Sequence, residues 1–271
     1  MYRGRFAPSP TGPLHFGSLV AAAGSYLEAR KNSGEWIVRI EDVDTPRNLS
    51  GAAEDILRTL DQYGFQWDGP VLHQSTRFAA YEQALETLRT KGLLFPCCCS
   101  RREVSEVYPG SCRHGLPPGR EVRSWRLRVD NQPIEFTDQR TGAYTEVLTS
   151  TVGDFVLKRA DGLFTYQLAV VVDDAFQGIT HVVRGADLLT STCRQIYLQK
   201  ALELPTPRYL HLPVVVDPHG DKLSKQTKAL PIPTGKHEAA DTLRKAFEFL
   251  GHTPHHTFAN VTEAWRWILN A

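Results

Sequence analysis

Two hydrophobic periods alternate at the start of this chain, and that alternation narrows the fold sharply. Arg3 to Ala7 reads as a short strand, and a turn dense in proline and glycine follows at once, Pro8 to Pro13. From about Ser18, Leu19, Ala22, Ala23, Tyr26 and Leu27 recur at helical spacing. Trp36 to Ile40 is a second strand, Trp-Ile-Val-Arg-Ile, which runs straight into the acidic group Glu41, Asp42 and Asp44. A second helix is expected from about Ala52 to Tyr63, with Ile56, Leu57 and Leu60 on one face, and a third from about Arg77 to Lys91. Strand, turn, helix, strand, helix is the opening of a doubly wound, Rossmann-like α/β sheet.

A cysteine-rich segment then breaks the alternation. Trp125 to Val129 and the stretch from Ile134 to Val156 read as short strands joined by turns, so an inserted α+β lobe is expected. The α/β rhythm resumes at Leu163 to Val172, an apolar run suited to a buried parallel strand. Val182 and Val183 form another strand, which closes on Arg184-Gly185-Ala186-Asp187. A helix is expected from about Ser191 to Glu203, a strand from Tyr209 to Val216, and closing helices over Glu238 to Leu250 and Val261 to Leu269. The expected division is residues 1–95 for the first half of a catalytic domain and 96–160 for the inserted metal-bearing subdomain. Residues 161–230 then give the second half of the catalytic domain, and 231–271 a short helical C-terminal region.

Composition excludes some partners and leaves others open. The 271 residues carry a formal net charge of +1, so no chain-wide basic field announces a polyanion. A local stripe can still serve: Arg101 to Arg128 holds seven arginines against Glu103, Glu106 and Glu121. The plain reading of such a run is a solvated face. No apolar run approaches a membrane span, and the N-terminus has no signal-peptide core, so no membrane partner is expected. Four of the five cysteines lie between Cys97 and Cys112. Clustered cysteines of this kind point to metal rather than disulfides, and to the cytoplasm.

His15-Phe16-Gly17-Ser18 stands between the first strand and the first helix. Backbone N–H groups at a helix start favour anions, and Gly17 lets a ligand come close to the chain. A histidine there can donate to phosphate oxygens as charge builds on them. Far along the chain, Lys222-Leu223-Ser224-Lys225 supplies two ammonium groups able to neutralise a departing pyrophosphate. Either motif alone is a weak signal. Both in this order, on opposite flanks of an α/β chain, are harder to dismiss.

Arg5-Phe6-Ala7-Pro8-Ser9-Pro10-Thr11-Gly12, then His15-Phe16-Gly17-Ser18, Arg39-Ile40-Glu41-Asp42 and Lys222-Leu223-Ser224-Lys225, resembles the glutamyl branch of the class I aminoacyl-tRNA synthetases. The resemblance spans about residues 3 to 230, and the opening motif is its most specific part. It departs at Phe16 and Ser18, where the family's best-known form has isoleucine and histidine. The resemblance implies a catalytic core of the class I type, with ATP and Mg²⁺ as cosubstrate and ion. His15, Gly17, Ser18, Lys222 and Lys225 would then hold ATP, with His15, Lys222 and Lys225 stabilising the charge that develops on its phosphates.

Glutamate brings two carboxylates and one ammonium, so its pocket should offer cations and one anion. Arg5 and Arg184 can clamp the side-chain carboxylate through bidentate hydrogen bonds. Glu41 can pair with the ammonium, and Tyr166 can offer its hydroxyl. The resemblance places these same four residues at the amino acid, with Phe6, Ala7, Pro8 and Ser9 lining the site.

Cysteine spacing alone suggests a structural zinc held from Cys97–Cys99 and Cys112, with His114 as the fourth ligand. A more specific resemblance, to small paralogues of the family, implies Cys97, Cys99, Tyr108 and Cys112 instead. Tyrosine is an unusual ligand, because a phenol must give up a proton from about 10, which a bound dication promotes. Tyr108 and His114 both stay open at this point.

Only 46 residues follow Lys225, too few for the helical region with which a glutamyl-tRNA synthetase reads the anticodon. The chain therefore resembles the short glutamyl-queuosine branch of the family. That branch implies glutamate activation without tRNA, followed by transfer to queuosine at the wobble position of tRNA(Asp). The anticodon loop would enter the cleft itself, and splayed loop bases are what proteins read most easily on RNA. A monomer is expected. The rival readings are a truncated synthetase acylating a tRNA 3′ end, a small-molecule ligase of the same superfamily, and a non-enzymatic binding paralogue.

Overall fold

Strand β1 (Arg3–Phe6) leads through the Pro/Gly turn into helix α1 (Phe16–Lys31), followed by β2 (Glu35–Ile40), α2 (Ala52–Gln62) and β3 (Leu72–His73). Then come α3 (Phe78–Thr90), β4 (Leu94–Cys97), β5 (Ser124–Leu127), β6 (Ile134–Asp138), β7 (Gly142–Glu146), α4 (Leu148–Thr151) and β8 (Phe155–Lys158). The chain continues with α5 (Tyr166–Phe176), β9 (His181–Gly185), α6 (Leu189–Ala201), β10 (Arg208–Leu212), α7 (Lys236–Phe249) and α8 (Val261–Leu269). These elements come from a computed structural model that describes residues 1–216 and 230–270. The motif Lys222-Leu223-Ser224-Lys225 lies outside the described residues. Among those described, no helix is long and apolar enough to cross a membrane.

The elements form two compact units, and the first comprises Met1–His73, Ile179–Leu189 and Pro207–Ala271. Here β1 pairs parallel with β2, and β2 with β3; β9 pairs parallel with β10. β9 also lies against β1, tied by the Thr180 N–H donating to the Arg3 carbonyl at 3.0 Å. Helix α1 packs on β1, β2 and β9 and on α7. It can be covered on several sides because its buried residues are mostly small: Ala22, Ala23, Gly24, Ser25 and Ala29 beside Leu19, Val20, Tyr26 and Leu27. Helices α7 and α8 send Leu243, Phe247, Trp265 and Ile268 into the same core. Each large apolar side chain so buried contributes about 1.5–3 kcal/mol. Two buried indole N–H groups of this core find partners. Trp36 Nε1 donates to Ser25 Oγ at 2.9 Å, and Trp265 Nε1 to the Tyr63 carbonyl at 2.8 Å.

The second unit comprises Gln74–Gly178 and Thr190–Thr206. One sheet is antiparallel, in the order β4-β5-β8, and β6 pairs antiparallel with β7 in a hairpin. The strands expected after Trp125 are thus present, with the one-turn α4 set between β7 and β8. The apolar run at 163–172 is a correction: from Tyr166 on it forms helix α5, not a buried parallel strand. Leu168, Ala169, Val170 and Val171 are all buried in succession, so this part of the helix shows no helical period for sequence to read, although Phe176 at its end is exposed. Asp173 and Gln167 on it find partners within the unit. Asp173, fully buried, accepts from Gln74, Arg77 and Tyr81, and Gln167 bonds Ser191 and Gln195 on α6.

Candidate active site and cysteine centre

Three of the expected glutamate contacts stand within two residues of the C-terminal end of a parallel-paired strand. They are Arg5 on β1, Glu41 just past β2, and Arg184 on β9, all in the first unit. In open α/β sheets, ligands bind in the crevice beyond these ends. Arg5 and Arg184 are 4% and 5% exposed, so both guanidiniums are held well out of bulk water. Phe6 ends β1 and is buried, and Ala7, Pro8 and Ser9 lead away from it, with Ser9 exposed. The Glu41 N–H donates to the Pro8 carbonyl at 2.9 Å, which ties the loop after β2 to the loop after β1. Gly12, in the same loop, has φ +145°, a conformation that side chains other than glycine's rarely adopt. Tyr166 is the first residue of α5 and belongs to the second unit.

His15 is the N-cap of α1. Its Nδ1 accepts the Ser18 N–H at 3.3 Å, which places the proton of the neutral ring on Nε2. Gly17 and Ser18 lie in the first turn of this 16-residue helix, where N–H groups without helical partners favour anions.

Two polar residues given no role by the sequence are built into this region. Arg39 is fully buried and pairs with Glu41, Nη2 to Oε1 at 3.3 Å. His211 on β10 is fully buried and accepts the Arg184 Nε–H on its Nε2 at 3.1 Å. A histidine inside Tyr-Leu-His-Leu is the signal that marks it, since a strand core holds a polar ring only against a partner.

The cysteine centre lies in the second unit. The sulfurs of Cys97, Cys99 and Cys112 all fall within 4.8 Å of one another, and Cys99 and Cys112 are 3.7 Å apart. A tetrahedral zinc with Zn–S near 2.3 Å sets sulfurs roughly 3.8 Å apart, so the three thiols fit that ion. The Tyr108 hydroxyl lies 3.5 Å from the Cys97 sulfur and accepts the Cys112 N–H at 2.9 Å. His114 is exposed and is not a member of the cluster. Cys98 is buried with its sulfur 3.5 Å from that of Cys112, and Cys193 is buried elsewhere in the unit, in α6. Burial pushes the Cys99 thiol up to about 12 and raises the Tyr108 phenol as well. Burial also acts to raise Cys112, but hydrogen bonds from the Cys98 backbone, Tyr108, Cys98 and Cys99 outweigh it and bring the thiol down to about 7.

Residues 1–115 and 118–257 match the family model of the class I tRNA synthetases (E and Q), catalytic domain. Over 279 residues the chain is 58% identical to the glutamyl-Q tRNA(Asp) synthetase of Dechloromonas aromatica, covering 98% of this chain and 92% of that protein. The chain belongs to this family. Among solved structures it is similar to a glutamate tRNA ligase from Elizabethkingia meningosepticum in complex with its amino acid. That likeness has 31% identity and a TM-score of 0.74, over 83% of this chain and 52% of that one. It is also similar to the glutamate-tRNA synthetase of Elizabethkingia anophelis, with 25% identity and a TM-score of 0.83, over 99% of this chain and 65% of that one. The chain thus spans about half to two thirds of the length of these solved synthetases. Its architecture is the class I synthetase catalytic fold, with parallel pairing in the first unit and antiparallel pairing in the second.

Proposed function

We propose that this chain activates glutamate with ATP, without tRNA for that step, and transfers the glutamyl group to queuosine at the wobble position of tRNA(Asp). The observation that carries the reading is the pair of buried guanidiniums, Arg5 and Arg184, in one unit of a chain that matches glutamyl-Q tRNA(Asp) synthetases over nearly its whole length.

A dicarboxylic amino acid needs charge neutralisation that a neutral pocket cannot give. Arg5 and Arg184 hold the side-chain carboxylate in their planar forks, Glu41 takes the ammonium, and the Tyr166 hydroxyl is a further contact. Phe6, Ala7, Pro8 and Ser9 form the wall. The α-carboxylate oxygen then attacks the α-phosphorus of ATP, and pyrophosphate leaves. His15 donates from Nε2 to phosphate oxygens as their charge grows, beside the backbone of Gly17 and Ser18. Lys222 and Lys225, outside the described residues, are assigned the departing pyrophosphate. Mg²⁺, which travels with ATP, supplies charge neutralisation on the triphosphate when bound. A hydroxyl of the queuosine cyclopentenediol attacks the glutamyl carbonyl of the adenylate, an ester forms, and AMP leaves. Enclosure of both groups in one cleft supplies much of this second step.

Cys97, Cys99, Tyr108 and Cys112 would hold Zn²⁺ in a structural role, with the ion contributing folding energy rather than chemistry. The tRNA enters by its anticodon loop, and the chain works as a monomer in the cytoplasm. Glutamate-dependent exchange between ATP and pyrophosphate, without RNA, tests activation. Labelled glutamate is then offered to tRNA(Asp) with and without queuosine, and label is expected only on the modified RNA. Label on unmodified tRNA(Glu) instead overturns the reading.

A further inference from the structure

The arginine-rich stretch after Cys99 has no part in the chemistry above, yet the fold gathers much of it around one cavity. That cavity, of about 570 Å³ in the second unit, is lined by Arg101, Arg102, Arg123, Arg126 and Arg159, with Asp161 as its one acid. Asp161 is engaged already, paired with Arg159 at 2.5 Å and accepting the Leu163 N–H. Arg126 is a fixed wall. It is buried, donates to the Asp154 carbonyl at 2.7 Å and to the Cys97 sulfur at 3.2 Å, and stacks over the Tyr108 ring.

Arg101, Arg102 and Arg123 are exposed, and none has an ion pair among the described residues. Glu103, the acid next to them in sequence, is held elsewhere. Its carboxylate accepts the Ser100 N–H at 2.7 Å and pairs with Arg120 at 3.0 Å. Three cations therefore face one cavity whose only acid is spent, in a chain with almost no net charge.

We propose that this cavity is a binding groove for the backbone phosphates of the tRNA. Guanidinium forks match phosphate geometry, and their planes also stack on unpaired bases. Val104 and Val156 give the groove an apolar floor against which a ribose or base can lie. A cavity of this size exceeds the needs of one phosphate and suits two or three consecutive ones on a bent single strand. The proposal rests on the reading that a tRNA is the glutamyl acceptor, and it says which surface of the second unit holds phosphates of that RNA.

The test uses the full chain and its triple variant Arg101→Ala, Arg102→Ala, Arg123→Ala. Binding of queuosine-bearing tRNA(Asp) is followed by fluorescence anisotropy across a salt series. Each phosphate contact carries a slope of about 0.7 to 0.9 in log K against log salt. The triple variant should bind roughly 10- to 100-fold more weakly at low salt, with a slope shallower by about 2. Its glutamate-dependent pyrophosphate exchange and melting temperature should match the wild type, and a triple lysine variant should regain most of the slope. Wild-type affinity and slope in the alanine variant overturn the groove while leaving glutamyl transfer intact. Lost exchange or a lowered melting temperature in that variant also counts against it, because the arginines would then support the fold. A wild-type chain that activates glutamate but binds no tRNA fails the acceptor reading first, and the groove with it.

Discussion

Arg184 donates its Nε–H to Nε2 of His211 at 3.1 Å, between Cα positions that face each other in the parallel register of β9 and β10. The same guanidinium donates from Nη2 to the Leu188 carbonyl at 3.3 Å, and its carbon lies 5.4 Å from the centre of the Tyr209 ring. The cation proposed to grip glutamate is thus itself gripped by a ring with no solvent exposure. A hydrogen bond to a charged group contributes about 1.5–3 kcal/mol. His211→Phe should therefore raise the KM for glutamate roughly 10- to 100-fold in pyrophosphate exchange, with kcat changed much less. His211→Gln, whose amide oxygen can accept the same bond, should recover most of the loss. An unmoved KM in His211→Phe would show that Arg184 holds its pose without the ring.

Arg5→Gln and Arg184→Gln each remove one guanidinium from the proposed carboxylate clamp. Loss of one partner from a buried charge contact costs about 2–5 kcal/mol. Each variant should lose at least roughly 30-fold in kcat/KM for glutamate, read by pyrophosphate exchange. Arg184→Lys should fail nearly as badly, because a point charge cannot replace the fork. Exchange at wild-type rates in either glutamine variant would remove that residue from the pocket.

Metal analysis separates the candidate ligands. The wild type should bind zinc, and Cys97→Ser, Cys99→Ser and Cys112→Ser should each weaken binding by well over the 10- to 100-fold typical of losing a supporting contact. Cys98→Ser should keep the metal. Tyr108→Phe should weaken binding, whereas His114→Ala should not, since His114 is exposed and outside the sulfur cluster. Metal retained by Tyr108→Phe and lost by His114→Ala would reverse the assignment.

Gly153 has φ +70°, and a Cβ there would fall 2.5 Å from the Tyr108 carbonyl oxygen. The Tyr108 N–H donates to the neighbouring Val152 carbonyl at 3.0 Å, so this contact seats the tyrosine beside the cysteines. Gly153→Ala combines backbone strain of about 1–3 kcal/mol with a clash. It should lower the melting temperature and zinc affinity together, and an unchanged melt would refute the close approach.

Tyr63 donates its hydroxyl to the Pro233 carbonyl at 2.7 Å. Burial, countered by a hydrogen bond with Thr242 and aided by Glu238, raises its phenol to about 12. The unfolded phenol ionises near 10. Its contribution to stability is therefore whole below about pH 10 and lost as pH climbs towards 12. Tyr63→Phe should cost about 1–2 kcal/mol at neutral pH and flatten the fall in stability above pH 10, as read by urea melts at several pH values.

Local patterns carry much of the fold because they depend on neighbours along the chain. Leu19, Ala22, Ala23, Tyr26 and Leu27 mark α1 before any contact is known, and each of α2, α3, α6, α7 and α8 begins and ends within about two residues of its sequence-based bounds. The opening motif and the placement of His15 before a helix are legible for the same reason. Four clustered cysteines suggest a metal site by spacing, and spacing alone favours His114, two residues past Cys112, over Tyr108, four before it; the fold instead sets the Tyr108 hydroxyl beside the Cys97 sulfur and leaves His114 exposed.

The amino-acid order by itself determined the family and the order of most elements, and it nominated the side chains proposed to meet glutamate, ATP and zinc. Only the tertiary structure decided that the apolar run coils into α5 from Tyr166 onward, because four successive buried residues, Leu168 to Val171, read in sequence without the periodicity that distinguishes helix from strand. It alone put His211 behind Arg184, and Arg123 and Arg159 around the same cavity as Arg101 and Arg102. Strand register and sheet order join residues tens of positions apart, and no local spacing encodes which distant charges will share one low-dielectric neighbourhood.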